Sequence, residues 1–168
     1  MEESIKRNSD EMERDLRERF IPDKTEQAAE SYSPLVLAFI GDSAYELLIR
    51  TMLVNPGNAR LNDLNRHKMS LVKADAQSDM MDVIEPVLKD REKHIYHRGR
   101  NAKSYTTAKN ATVADYRRAT GFEALIGYLY MTGQSDRMME LVSLGIDYVE
   151  EKQRDVRGLP SSARNTRK

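Results

Sequence analysis

A chain of 168 residues fits a single domain and is long enough to bury a sizeable core. Lys+Arg and Asp+Glu both number 27, so net charge favours no class of partner. The absence of cysteine excludes disulfide frameworks, thiolate zinc sites and cysteine nucleophiles together. No apolar run reaches the roughly 18 residues of a membrane span, and the charged opening MEESIKRNSDEMERDLRERF does not read as a secretory signal. The expectation is a cytoplasmic protein with no membrane partner.

Residues 1–24 form a charged N-terminal extension. Met12, Leu16 and Phe20 recur every fourth residue, as in a short amphipathic helix, while the scarcity of other apolar groups fits a solvated extension equally well. A central helix is predicted over 33–53, SPLVLAFIGDSAYELLIRTML, with Ser33 as N-cap and Pro34 as its first residue. Its apolar side chains point to every side, so other elements should enclose it. The turn Asn55-Pro56-Gly57-Asn58 ends it. Helices are then expected over 59–72 and over 74–84, the latter from the spacing of Ala76, Met80, Val83 and Ile84. Pro86 suits the first turn of a helix over 87–96.

The segment 97–110, HRGRNAKSYTTAKN, has four cations, a glycine and no aliphatic residue larger than alanine, which predicts an exposed basic loop. Thr112, with Asp115 three positions later, resembles a capping box and opens a long helix over 113–131 that Gly133 closes. Ser135 caps a final helix with the stripe Met138, Leu141, Val142, Ile146 and Val149. From Lys152 onward the chain reads as a basic, disordered tail. No strand, hairpin dipeptide or internal repeat is evident. The fold class is all-α, with a folded domain over 25–151 between the extension and the tail.

The chemistry-bearing residues interrupt this pattern. Asp42 and Glu46 lie four apart on one face of the central helix. A carboxylate in such a setting is costly to bury unless it is paired, hydrogen-bonded or bound to metal. Alone, Asp42 is equally explained as a cap at a helix break or a partner of Arg50. Glu123 repeats the anomaly inside GFEALIG, where Gly121 and Gly127 permit close approach to a neighbouring helix. If the two helices cross there, Asp42, Glu46 and Glu123 gather into a cluster that repels itself unless a hard cation such as Mg²⁺ occupies it. Cations at Arg98, Arg100, Lys103, Lys109, Arg117 and Arg118 suit a substrate made of phosphates, although a solvated loop accounts for many such runs. The three histidines, His67, His94 and His97, show no metal-ligand spacing.

LAFIGDSAYELLIR resembles the signature helix of ribonuclease III catalytic domains, and ATGFEALIGYLY resembles that family's second acidic helix. With RGRNAKS, and with no double-stranded-RNA-binding domain in the sequence, the chain resembles the short bacterial branch, Mini-ribonuclease III, from about Leu35 to Val149. The resemblance implies a helical bundle of the ribonuclease III endonuclease type. It also implies a homodimeric endoribonuclease that cleaves double-stranded RNA with Mg²⁺, or Mn²⁺ as a substitute, leaving 5′-phosphate and 3′-hydroxyl ends. Members of the short branch act in large-subunit ribosomal RNA maturation, which makes a ribosomal RNA precursor the expected partner.

By position the family's essential acids fall on Asp42 and Glu123, as catalytic residues and metal ligands, with Glu46 as a candidate third ligand. RNA contacts are expected from Arg98, Arg100, Asn101, Lys103, Lys109 and Arg117. Leu35, Ala38 and Thr120 stand where the larger enzymes carry further acids, as in the short branch's reduced set. The alternative is a non-catalytic RNA-binding or ribosome-associated module of the same fold.

Overall fold

The structure is a computed structural model that describes residues 2–103 and 112–157, with backbone alone for residues 2–9. Every regular element among the described residues is helical. In chain order these are α1 (Glu2–Phe20), α2 (Glu26–Glu30), α3 (Pro34–Val54), α4 (Leu61–Val72), α5 (Ala74–Ile84), α6 (Asp90–Arg100), α7 (Val113–Met131) and α8 (Ser135–Val156), with a 3₁₀ turn over Glu85–Val87. No helix among the described residues is long and apolar enough to cross a membrane.

The bundle is built around the crossing of α3 and α7. A Cβ placed on Gly41 would stand 1.8 Å from the Glu123 carbonyl oxygen, and one placed on Gly127 would stand 2.0 Å from that of Leu37. Only hydrogen at both positions allows the two backbones to touch, so this pair of glycines sets the separation of the helices. Tyr45 of α3 meets Phe122 of α7 edge-to-face at 5.0 Å, and its hydroxyl donates to the Leu71 carbonyl at 3.0 Å, tying in α4. Helix α5 fills the other side of α7 with Met80, Met81 and Ile84, all fully buried. The predicted stripe of α8, from Met138 to Val149, is buried throughout. Each such aliphatic side chain contributes about 1.5–3 kcal/mol on leaving water.

Helices α5 and α7 occupy the predicted ranges. Thr112 caps α7 by accepting from the Asp115 N–H at 3.1 Å while its hydroxyl donates to the Asp115 carboxylate at 2.6 Å, and Gly133 leaves the helix at φ +67°, where a side chain is strained. Ser33 precedes α3 as expected, but its side chain makes no cap bond.

Four expectations are corrected. Helix α3 is not enclosed. It buries Leu37, Ala38, Gly41, Ala44, Tyr45 and Ile49 on one side and exposes Leu35, Val36, Phe39, Leu47 and Val54 on the other, Phe39 to 79%. Nor do 97–100 belong to a loop. Pro86 sits in the 3₁₀ turn, the Lys89 N–H donates to Glu92 Oε2 at 2.8 Å, and α6 runs on from there through Arg100. Gly99 belongs to that helix because Ala124 and Gly121 of α7 press against it. Third, α8 continues past Lys152, which pairs with Asp79 at 2.7 Å; the rest of the expected tail, 158–168, lies outside the described residues. Fourth, Asp42 is exposed, since its neighbour Gly41 takes the contact with α7 and leaves Asp42 at the rim. Between the two readings of the N-terminal segment, α1 is helical, with Met12, Leu16 and Phe20 exposed.

Candidate active site

The glycine crossing determines which side chains meet. Because Gly41 rests on the Glu123 carbonyl, Asp42 and Glu123 emerge side by side from different helices. Their charges interact. Burial, followed by the nearby Asp42 charge, pushes the Glu123 carboxyl up to about 8. Asp42 is also raised, first by the part of its carboxyl that is desolvated and then by Glu46. No lysine or arginine among the described residues offsets either acid. Two carboxyls held together without a counter-ion disfavour their own ionisation.

Glu46, one turn beyond Asp42, has a different environment. Its carboxylate accepts from Lys68 Nζ at 3.0 Å and from Arg50 Nε at 2.9 Å. These bonds, Lys68 first, lower its pKa despite partial burial. The expected three-acid cluster therefore resolves into an uncompensated pair and a neighbour already matched by two cations.

The pair fits a hard divalent cation. Its donors are carboxylate oxygens with no lysine or arginine beside them, and among the described residues no third acid or histidine joins them as a metal-holding group. Mg²⁺ takes one or two carboxylates and completes its shell with water and substrate phosphates. The cavities of about 350 and 440 Å³ lie elsewhere, along the C-terminal end of α8, and neither acid lines them.

The expected RNA-contacting residues divide. Arg100, Asn101 and Lys103 are exposed at the end of α6, and Arg117 is exposed on α7, six positions before Glu123. Lys109 lies outside the described residues. Arg98 turns inward, donating to the Glu30 carbonyl and, at 3.0 Å, to that of Tyr32, which fixes the corner between α2 and α3. Arg118 pairs with Asp82 at 2.6 Å. Each histidine faces a glutamate of another element: His67 Glu150, His94 Glu30 and His97 Glu85.

Residues 35–134, which include both acids and the crossing, match the family model for the Ribonuclease III domain. The chain belongs to the ribonuclease III family. It is 43% identical to Mini-ribonuclease 3 of Clostridium tetani over 138 residues, covering 81% of this chain and 91% of that one. It is 46% identical to Mini-ribonuclease 3 of a Thermoanaerobacter species over 127 residues, covering 76% and 89%. A Fusobacterium nucleatum protein solved by X-ray crystallography superimposes with a TM-score of 0.61 at 32% identity, over 69% of this chain and 93% of that one.

Within this ribonuclease III domain one further polar group reaches the acids. Gln77 of α5, 1% exposed, lies close enough to Glu123 to oppose part of the rise of its carboxyl. The sequence reading passed over it, although a signal was present. Gln77 shares a helical face with Met81 and Ile84, and an amide on so apolar a stripe needs a buried partner.

Proposed function

We propose that this ribonuclease III family member is a Mg²⁺-dependent endoribonuclease of the cytoplasm. It cuts double-stranded RNA as a homodimer, leaves 5′-phosphate and 3′-hydroxyl ends, and has a large-subunit ribosomal RNA precursor as its substrate. The observation that carries this reading is the uncompensated pair Asp42–Glu123 across the α3–α7 crossing.

When bound, Mg²⁺, or Mn²⁺ in its place, activates water and steadies charge developing on the scissile phosphate. The chain contributes position. Asp42 and Glu123 hold the cation, and the Gly41–Gly127 contact keeps their helices at a fixed separation. Glu123, raised to about 8 without a cation, would hold one as the deprotonated carboxylate. The exposed side chains of Arg100, Asn101, Lys103 and Arg117 lie along the RNA backbone, joined by Lys109, and their contacts carry no sequence information. The bare apolar side of α3, with Leu35, Val36, Phe39, Leu47 and Val54, is the surface a second copy covers.

The test is cleavage of a long RNA duplex with Mg²⁺ or with chelator, followed by mapping of the new ends. Cuts with 5′-phosphates, made only with metal and lost in Asp42→Asn, support the reading. An Asp42→Asn protein that cleaves at the wild-type rate overturns it. Duplex binding should weaken steeply with salt, because phosphate contacts release counter-ions. Trimming of a large-subunit precursor RNA, set against an unrelated duplex, tests the substrate.

A further inference from the structure

Glu46 is the acid nearest to joining the pair. It lies one turn from Asp42 on the same face of α3, where side chains four apart are neighbours, and its side chain is 33% exposed. A third carboxylate would add charge to the site and take a place that water or substrate phosphate otherwise fills on a bound Mg²⁺. Two cations stand between Glu46 and that role. Lys68 Nζ, at 3.0 Å, and Arg50 Nε, at 2.9 Å, donate to the same carboxylate oxygen, Oε1.

The two cations are not equivalent. Arg50 sits four residues after Glu46 on α3 and is 53% exposed, so water competes for its place. Lys68 comes from α4, and its side chain is 15% exposed. One turn beyond it, the Leu71 carbonyl accepts from the buried Tyr45 hydroxyl at 3.0 Å, which holds this stretch of α4 against α3. Lys68 therefore meets Glu46 from a fixed backbone. A divalent ion on Glu46 would stand within a few ångström of that ammonium, and the repulsion between like charges grows where water is partly excluded.

We propose that Lys68 is the residue that limits the metal site to two carboxylates. By bonding Oε1 it keeps Glu46 from the cation held by Asp42 and Glu123. The proposal rests on the reading of those two acids as metal ligands. Lys68 acts through Glu46, so its role is in specificity: it preserves the positions on the ion that water and phosphate need.

The experiment titrates the full chain with Mn²⁺, without RNA, at physiological ionic strength. Calorimetry gives the affinity, and water-proton relaxation reports how much water remains on the bound ion. Lys68→Met keeps the length and bulk of the side chain but loses its charge. Glu46→Gln, alone and combined with it, completes a double-mutant cycle. If Lys68 withholds Glu46, Lys68→Met tightens Mn²⁺ binding about tenfold and the bound ion carries less water. In the Glu46→Gln background only a screened charge is lost, so the same change tightens binding less than about threefold and leaves the hydration as it was. Equal tightening in both backgrounds is the effect of a bare charge and overturns the proposal. Loss of thermal stability in Lys68→Met, with Mn²⁺ affinity and hydration unchanged, overturns it too, since Lys68 then only joins α3 to α4. Should Lys68→Met not fold, Lys68→Leu takes its place. Asp42→Asn distinguishes the two levels of failure. A wild type that binds Mn²⁺ no better than Asp42→Asn overturns the metal-site reading and the role of Lys68 with it. Binding lost in Asp42→Asn but unaltered in Lys68→Met overturns the role of Lys68 alone.

Discussion

Glu92 and Glu123 are both drawn into the packing between helices, yet their surroundings treat the charge in opposite ways. Glu92, 3% exposed on α6, receives a fork from Arg137, Nε to Oε1 and Nη2 to Oε2, each at 2.9 Å, and the Lys89 N–H at 2.8 Å. Burial raises its pKa, but Arg137 and the Lys89 N–H outweigh burial and hold the carboxyl below its usual range. The bond to Glu92 in turn raises Arg137. Glu123 has a second carboxylate in front of it and one amide beside it, and is pushed up to about 8. The acid that joins elements of the fold is given its cation within the chain; the acid proposed to bind one from outside has none. The same sequence feature, a glutamate at a buried or half-buried helix position, thus carries two meanings that only the partner distinguishes.

Removing the cation from the first site should have the largest effect. Arg137→Met leaves Glu92 charged and nearly inaccessible, and breaking a buried pair in this way costs about 3–5 kcal/mol. Urea unfolding checks this, and a loss below about 1 kcal/mol would show that water reaches Glu92 and that the contrast with Glu123 is weaker than drawn. Glu123→Gln should reverse the pattern. It removes the carboxyl whose raised pKa already lowers stability at neutral pH, so the metal-free protein should be at least as stable as the wild type there, while duplex cleavage falls at least about 100-fold, equivalent to about 2.7 kcal/mol. Matched unfolding and single-turnover assays test both halves. A variant that unfolds and loses activity in proportion would place Glu123 with Glu92.

The contrast extends to pH. Glu123 has a folded-state pKa of about 8 against a reference value of 4.5, so the folded state binds the extra proton between those values. Its contribution to stability is complete below about pH 4.5 and is lost as pH rises through about 8, at a slope of at most about 1.4 kcal/mol per pH unit. Glu92 is depressed, so its contribution is present above the reference value of 4.5 and is lost as pH falls through the lower folded-state value. Urea titrations in chelator over this range should show the alkaline-side decline in the wild type and not in Glu123→Gln. A decline of equal size in both proteins would assign it to another group.

These partners explain what could be read from the sequence. Helix α7 was legible because its ends are local events, a cap at Thr112 and a left-handed Gly133. So was the meeting of Asp42 with the second acidic helix, since Gly127 announces close approach in the sequence itself. What escaped depends on contacts distant in the chain. Arg98 reads as a loop cation until Glu30 at the end of α2 and Tyr32 just after it offer their carbonyls. Gln77 reads as an ordinary helix residue until Glu123 arrives 46 positions later. The exposed side of α3 reads as enclosed because periodicity records apolarity, not what packs against it.

Glu46 provides the smallest and most discriminating test. It shares a face of α3 with Asp42 yet carries the partners of the Glu92 type, Lys68 and Arg50. Its ion pairs are also more open to solvent, with its side chain 33% and that of Arg50 53% exposed. Screening at that exposure limits their contribution to about 0–1 kcal/mol. If the chain's own cations mark a structural acid, Glu46→Gln should change stability by no more than about 1 kcal/mol and cleavage by no more than about fivefold. A loss of cleavage as deep as that of Glu123→Gln would mean that a metal displaces Lys68 and Arg50 to reach Glu46. In that case the rule separating the two kinds of acid would hold only for pairs that, like Glu92 and Arg137, are sealed from water.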